Sequence, residues 1–127
     1  MNTFLAVENM PDRSRVLSQA VSEAAKRMKV RTADLVAILG CSQPTISRLS
    51  SGKSCLHEGT KEWELSAHFV RLYRSLSSMV GGDDILIASW MKSPNKAFNQ
   101  QVPLDYIKRV DGLINVCNYL DAHRAKV

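Results

Sequence analysis

The sequence has no apolar run approaching the roughly 18 residues that a membrane span requires. Its first ten residues, MNTFLAVENM, carry neither a basic start nor a long apolar stretch, so no secretory signal is expected and the expected location is cytoplasmic. Cysteine is scarce. Cys41, Cys55 and Cys117 form no CxxC pair, and in a reducing compartment they read as free thiols. Cys55 and His57 stand two apart, but no second ligand pair accompanies them, so no metal site is expected. His57, His68 and His123 have no acid and nucleophile pattern beside them. The Gly81–Gly82 pair reads as a helix stop rather than a phosphate cradle. Catalytic residues, cofactors and enzymatic activity are therefore not expected. Strand alternation, internal repeats and low-complexity segments are missing as well.

What remains is an ordinary supply of core-forming residues, 45% apolar, and a net charge of +5. That charge is unevenly spread. Residues 1–56 hold eight Lys or Arg against four Asp or Glu, whereas residues 57–127 hold nine against eight. Clustered positive charge attracts a polyanion by releasing its counterions. The excess therefore points to nucleic acid for the first region and away from it for the second.

Helical spacing recurs along the chain, which predicts an all-α fold. Leu17, Val21, Ala24 and Met28 make one face of a helix from Asp12 to Met28, with Asp12 at its start and the basic cluster Lys26, Arg27, Lys29 and Arg31 at its end. A short helix follows from Thr32, the expected N-cap, to Leu39, with Leu35, Val36 and Leu39 inward. Gly40 stops it. Ser42 caps a second short helix with Pro44 in its first turn, and Ile46 and Leu49 are its buried positions. SSGKS breaks the chain at Ser50 to Ser54. After a linker at about Cys55 to Gly59, a long helix from about Thr60 to Val80 carries the stripe Leu65, Phe69, Leu72, Leu76 and Met79. Trp63, Val70 and Tyr73 widen that stripe. Asp83 or Asp84 starts another helix through Ile85, Leu86, Trp90 and Met91. The two prolines of KSPNKAFNQQVPLDY mark a bend, a helical turn and a new start near Pro103. Asp111 and Gly112 read as a further break before a last helix from about Leu113 to Ala125, with Leu113, Val116, Cys117 and Leu120 inward.

Residues 32–49 have the spacing of a helix-turn-helix. Counting from Thr32, Gly40 is ninth, Ile46 fifteenth and Leu49 eighteenth, where the motif needs a turn glycine and two apolar locks. Val36 occupies a position where a smaller Ala is usual. Ser42, Gln43, Thr45, Ser47 and Arg48 are left on the outer face, with Lys53 just beyond. Gln pairs bidentately with adenine and Arg with guanine, while Ser and Thr hold phosphates or bases. The stretch VRTADLVAILGCSQPTISRLSSGK resembles the Xre/Cro class of bacterial regulators.

A second resemblance covers ASWMKSPNKAFNQQVPLDYIKRVDGLINVCNYLDAH. It is similar to the C-terminal toxin-binding domain of the Xre/MbcA/ParS-like antitoxins. That pattern has a Trp followed by an apolar residue, Pro-Asn, an apolar residue, Pro-apolar, a glycine and a late Leu. Trp90 and Met91, Pro94 and Asn95, Phe98, Pro103 and Leu104, Gly112 and Leu120 fill those places. Two departures are Asn99, where a glycine often stands, and the absence of a glycine after the last helix before Val127.

Together the resemblances imply a helix-turn-helix region over 1–56 and a helical dimerisation and toxin-binding domain over 57–127, with its core pattern at 88–125. They imply a bacterial, cytoplasmic type II antitoxin, encoded with a RES-domain toxin that consumes NAD or transfers its ADP-ribose. The antitoxin would cover the toxin's NAD pocket without chemistry of its own. It would also bind the operator of its own operon as a homodimer, and form a larger complex with the toxin. Trp90, Met91, Leu113 and Leu120 are expected to shape the domain, and Tyr106, Arg109, Asn118, Asp121 and Arg124 to supply contacts. The cationic end, with His123, Arg124 and Lys126, is either a solvated helix terminus or an element that enters the toxin's pocket. The alternative function is a stand-alone dimeric helix-turn-helix regulator whose C-terminal half only dimerises or senses a ligand.

Overall fold

Helix α1 (Asp12–Met28) sets the pattern of the whole chain: small and apolar residues at helical spacing, turned onto a longer partner. The computed structural model describes residues 12–53 and 56–125. Cys55 and Lys126 lie outside the described residues. Among the described residues there are seven α-helices, and the only β-type pairing is one bridge between Asn95 and Gln101. After α1 come α2 (Thr32–Leu39), α3 (Gln43–Ser51), α4 (Lys61–Met79), α5 (Asp84–Lys92), a 3₁₀ turn at Lys96–Phe98, α6 (Pro103–Tyr106) and α7 (Val110–Ala125).

The expected caps hold in part. Thr32 is not the cap of α2 but its first helical residue. Arg31 takes the cap position, and the Asp34 carboxylate reaches back to accept from the Arg31 backbone N–H at 3.4 Å. A carboxylate at this end satisfies an orphan donor and suits the helix dipole. Asp12 does not stand outside α1 as a cap. It lies in the first turn and binds Arg15. Ser42 caps α3 by accepting from Thr45 N–H at 3.3 Å. The expected break at Ser50 comes later, because α3 runs through Ser51 and closes on Gly52 at φ 75°. Thr60 caps α4, and Asp83 caps α5 by accepting from Ile85 and Leu86 N–H at 2.9 and 3.3 Å.

The largest correction concerns Gly112, which does not break the chain. Helix α7 starts at Val110 and carries Gly112 within its first turn. The position is glycine for want of space: a Cβ there would lie 2.0 Å from the Tyr106 carbonyl oxygen. The Pro-containing stretch behaves as expected. Asn95 caps the 3₁₀ turn by accepting from Ala97 N–H at 2.9 Å. Asn99 has φ 55°, a left-handed conformation that Asn tolerates better than most residues, so the departure from glycine at this place leaves the turn intact.

Helix α4 is the centre of the packing. Its Phe69, Leu72 and Leu76 are fully buried, and it packs most extensively on α7 and next on α1. Ser14, Ser18, Ala24 and Ala25 are buried on α1, and their small size lets the helices approach closely. Ser18 Oγ also accepts from the Leu56 N–H at 2.8 Å, pinning the middle of the α3–α4 connection to α1. One apolar core runs through both sequence regions: Met28, Leu39 and Ile46 belong to the same buried cluster as Phe69, Ile87, Met91, Leu113 and Leu120. The inward set predicted for α7 is buried as expected. Ile38 was missed, and Val36 is only partly buried. On α5, Ile87 and Met91 face the core, while Ile85 is 79% exposed and Leu86 50%.

Candidate functional site

The α2–α3 pair presents the first candidate surface. Gly40 at φ 68° turns the chain between the two helices, and Leu35, Ile38, Leu39, Ile46 and Leu49 fix the pair from beneath. Ser42, Gln43, Ser47, Arg48 and Lys53 are exposed and Thr45 is half-buried. Three of the six form a chain of contacts. Ser42 Oγ and Thr45 Oγ1 lie 2.9 Å apart, and Arg48 Nη2 donates to Thr45 Oγ1 at 3.4 Å. Ser42 therefore serves the helix before it serves any ligand, and Thr45 steers the Arg48 guanidinium. Gln43 and Ser47, one turn apart, point their side chains to solvent. Beside this face a cleft of about 340 Å³ is lined by Cys41, Ser42, Thr45, Arg48, His57, Thr60 and Glu62 among others.

The second candidate surface is built by α6 and α7, and it falls into two groups. Tyr106 closes α6 and Arg109 immediately precedes α7. Tyr106 Oη accepts from Asn115 Nδ2 at 2.7 Å, and its ring lies 5.5 Å from that of Phe98. Arg109 is exposed and pairs with Asp111 at 3.0 Å. That pair holds the Asp111 carboxyl below the usual carboxylate range. Asn118, Asp121 and Arg124 lie further along α7. Asp121 accepts from Arg71 Nε at 2.7 Å and from Ser75 Oγ at 2.6 Å, and Asn118 Oδ1 accepts from Arg71 Nη2 at 3.2 Å. His68 Nδ1 lies 3.4 Å from the same guanidinium. Arg124 is exposed at the end of the row.

Sequence reasoning missed the α4 half of this cluster. His68, Arg71 and Ser75 follow one another at three- and four-residue spacing, so they line one edge of the apolar stripe. That spacing was a usable signal. Their partners, about fifty positions away, were not legible. The Ser75 hydroxyl, opposed by burial and joined by Arg71, holds the Asp121 carboxyl below its ordinary pKa of 3.8. Asp121 is thus a strut between α4 and α7, whereas Asn118 and Arg124 keep exposed edges.

Aromatic rings support this surface from within. Phe98 is buried and meets Trp90 edge-on at 6.1 Å and Tyr119 at 5.1 Å, and Tyr119 lies 4.3 Å from the His123 ring. Trp90 is half-buried while Met91, Leu113 and Leu120 are fully buried, so the four residues expected to shape the domain lie in or against its core. The Cys117 thiol donates to the His68 carbonyl oxygen at 3.2 Å, and burial pushes its pKa up to about 11. It is a packing residue rather than a nucleophile. Among the described residues, no three His, Cys, Asp or Glu side chains are grouped as metal ligands would be.

Ion pairs tie this half to the first. Lys108 Nζ lies 3.0 Å from Asp34 Oδ1, joining the α6–α7 corner to the α2 cap, and Arg27 lies 3.4 Å from Asp84 across α1 and α5. Burial raises the Asp34 pKa, but the hydrogen bond and charge of Lys108 outweigh it, so the net shift is downward.

Residues 75–126 match the family model described as "Antitoxin Xre/MbcA/ParS C-terminal toxin-binding domain". The fold as a whole is similar to a chain of the M. tuberculosis MbcT–MbcA toxin–antitoxin complex. The TM-score is 0.66 at 20% sequence identity, over 88% of this chain and 96% of that one. At that identity the likeness is one of fold. No curated protein matches the sequence.

Proposed function

We propose, from the premise that the chain is an Xre/MbcA/ParS-like antitoxin, that its partner is a RES-domain toxin and that it acts by occluding the toxin's NAD-binding active site. The match over residues 75–126 carries this reading. The exposed edges of Tyr106, Arg109, Asn118 and Arg124 are the side chains proposed to meet the toxin. Asp121 supports Asn118 through Arg71. Neutralisation needs only a surface that fills the pocket, so no catalytic group of this chain enters the mechanism.

The α2–α3 pair is proposed to act as a helix-turn-helix on operator DNA, autoregulating the operon. The net charge of residues 1–56 and the exposed Gln43, Ser47, Arg48 and Lys53 support it. One such module covers one half-site, so a homodimer on a two-fold operator is the proposed DNA-binding species. A bacterial cytoplasmic setting belongs to the same reading. Among the described residues no helix is long and apolar enough to cross a membrane.

Co-expression with the product of the gene neighbouring this chain's own tests the reading. A purified complex and a preserved cellular NAD level are expected. Free toxin, with NAD falling despite the antitoxin, removes the RES assignment. Operator binding without any toxin binding would leave the stand-alone regulator in its place. Light scattering with and without operator should give the mass of a dimer, and a monomer mass in both conditions rejects that stoichiometry.

A further inference from the structure

Helix α5 presents two faces. Ile87 and Met91 are fully buried, whereas Leu86, Ser89, Trp90 and Ser93 follow the three- and four-residue spacing of a second face. That face, with Val80 just past α4 and Pro94 just past α5, walls an open groove of about 320 Å³. Leu86 is 50% exposed there and Trp90 is half-buried. Among the described residues, no charged side chain lines the groove. Polar groups on its walls are engaged within the chain. Ser93 Oγ donates to the Ser89 carbonyl at 2.7 Å, and Asn95 Oδ1 accepts from the Ala97 N–H at 2.9 Å. The Asn95 N–H donates to the Gln101 carbonyl at 3.1 Å, so the wall at Pro94 is set before anything docks, which lowers the ordering cost of binding.

Resting on the antitoxin reading above, we propose that this groove receives an apolar, uncharged part of the toxin and is the hydrophobic anchor of that interface. The groove lies entirely within residues 75–126, the stretch matched by the toxin-binding model. Protein interfaces join an apolar core to a polar rim, and their energy concentrates in a few buried anchors, tryptophan prominent among them. Tyr106, Arg109, Asn118 and Arg124 are polar or charged, and by themselves they make a rim without a core. The groove is continuous with them through one ring: Phe98 meets Trp90 at 6.1 Å and Tyr106 at 5.5 Å. A single partner face can therefore cover Trp90 and Tyr106 together. The lack of charge disfavours nucleic acid as the occupant, because that polyanion binds through cations.

The product of the gene neighbouring this chain's own is the probe. Leu86→Asp alters an exposed position and sets a charge at the groove. It should weaken the complex roughly tenfold to a hundredfold, as the loss of one buried leucine does, with the helicity and light-scattering mass of the free protein unchanged. Val16→Asp, at a similarly exposed position on α1, should bind as wild type. Retained affinity in Leu86→Asp overturns the inference and leaves the antitoxin reading standing. Equal losses in the two variants overturn it too, and so does a fall in mass with Leu86→Asp, which would give the groove to a second copy of the chain. A wild-type chain that binds no such product removes the antitoxin reading and this inference with it. A further measurement leaves the groove unaltered. In a Trp63→Phe background Trp90 is the remaining tryptophan. Labelled with fluorotryptophan, its fluorine resonance should move when the unlabelled partner is added. A resonance that stays in place in a formed complex overturns the inference without any substitution in the groove.

Discussion

At the scale of single residues, the most constrained position is Gly112. Its missing side chain lets the Tyr106 carbonyl approach the first turn of α7. Gly112→Ala should destabilise the fold by about 1–3 kcal/mol, the usual cost of forcing a methyl group into filled space, despite alanine's better helix propensity. The midpoint of urea unfolding measures it, and a stabilised variant would show that the corner yields. The sequence marked Gly112 as important but for the wrong reason. Glycine signals freedom of the backbone and want of space by the same letter, and only the Tyr106 contact separates the two. Asp121 makes a second prediction. Its folded pKa lies below 3.8, so the unfolded chain binds the proton at higher pH than the folded one. Its contribution is present above about 3.8 and is lost as pH falls through the folded value. The stability difference between wild type and Asp121→Asn should therefore shrink on acidification below that point. A difference that stays constant from pH 7 to pH 3 would deny the carboxylate its role as a strut.

At the scale of the element, α3 and α7 carry the proposed contacts in different ways. Helix α3 was legible almost to the residue, because its cap, turn glycine and buried positions are all local signals. Its end was misplaced, since Ser51 stays in helix with its hydroxyl donating to the Arg48 carbonyl and the stop falls to Gly52. If Arg48 reads a guanine, Arg48→Ala should weaken operator binding by about 1–3 kcal/mol, and wild-type affinity should fall steeply with added salt. Gel shifts at two salt concentrations check both, and full retention of affinity would take Arg48 out of the reading face. Helix α7 was legible on its buried side, where periodicity speaks, and poorly on its exposed side. The five residues chosen there and at the α6–α7 corner fall into two contact groups. Asp121 turned out to be engaged internally, and its α4 partners lay beyond local pattern. Truncation is best placed after His123, leaving Asp121 on Arg71. Removing residues 124–127 should leave operator binding and thermal stability close to wild type and release toxin activity. The readout is NAD in cells carrying both proteins. Continued protection would move the occluding surface to the Lys92–Gln101 stretch.

At the scale of the molecule, composition placed the cation excess in residues 1–56 and helical spacing placed the elements, but neither could show that the halves share a core. Apolar periodicity reports which side of a helix is buried and is silent on the partner that buries it. Met28 and Leu39 lie in the same cluster as Phe69 and Leu113, and Lys108 meets the cap of α2. Unfolding followed by Trp fluorescence and by circular dichroism should therefore give coincident transitions, and two separated midpoints would contradict the shared core. Such a core also governs how the protein disappears. A protease that unravels either end pulls on packing common to both, so degradation leaves no half-length survivor with one task intact. Under the proposed roles, the operator is vacated and the toxin uncovered by the same event. The cell's command to make new antitoxin is then issued at the moment the old one fails, with no messenger needed between the two.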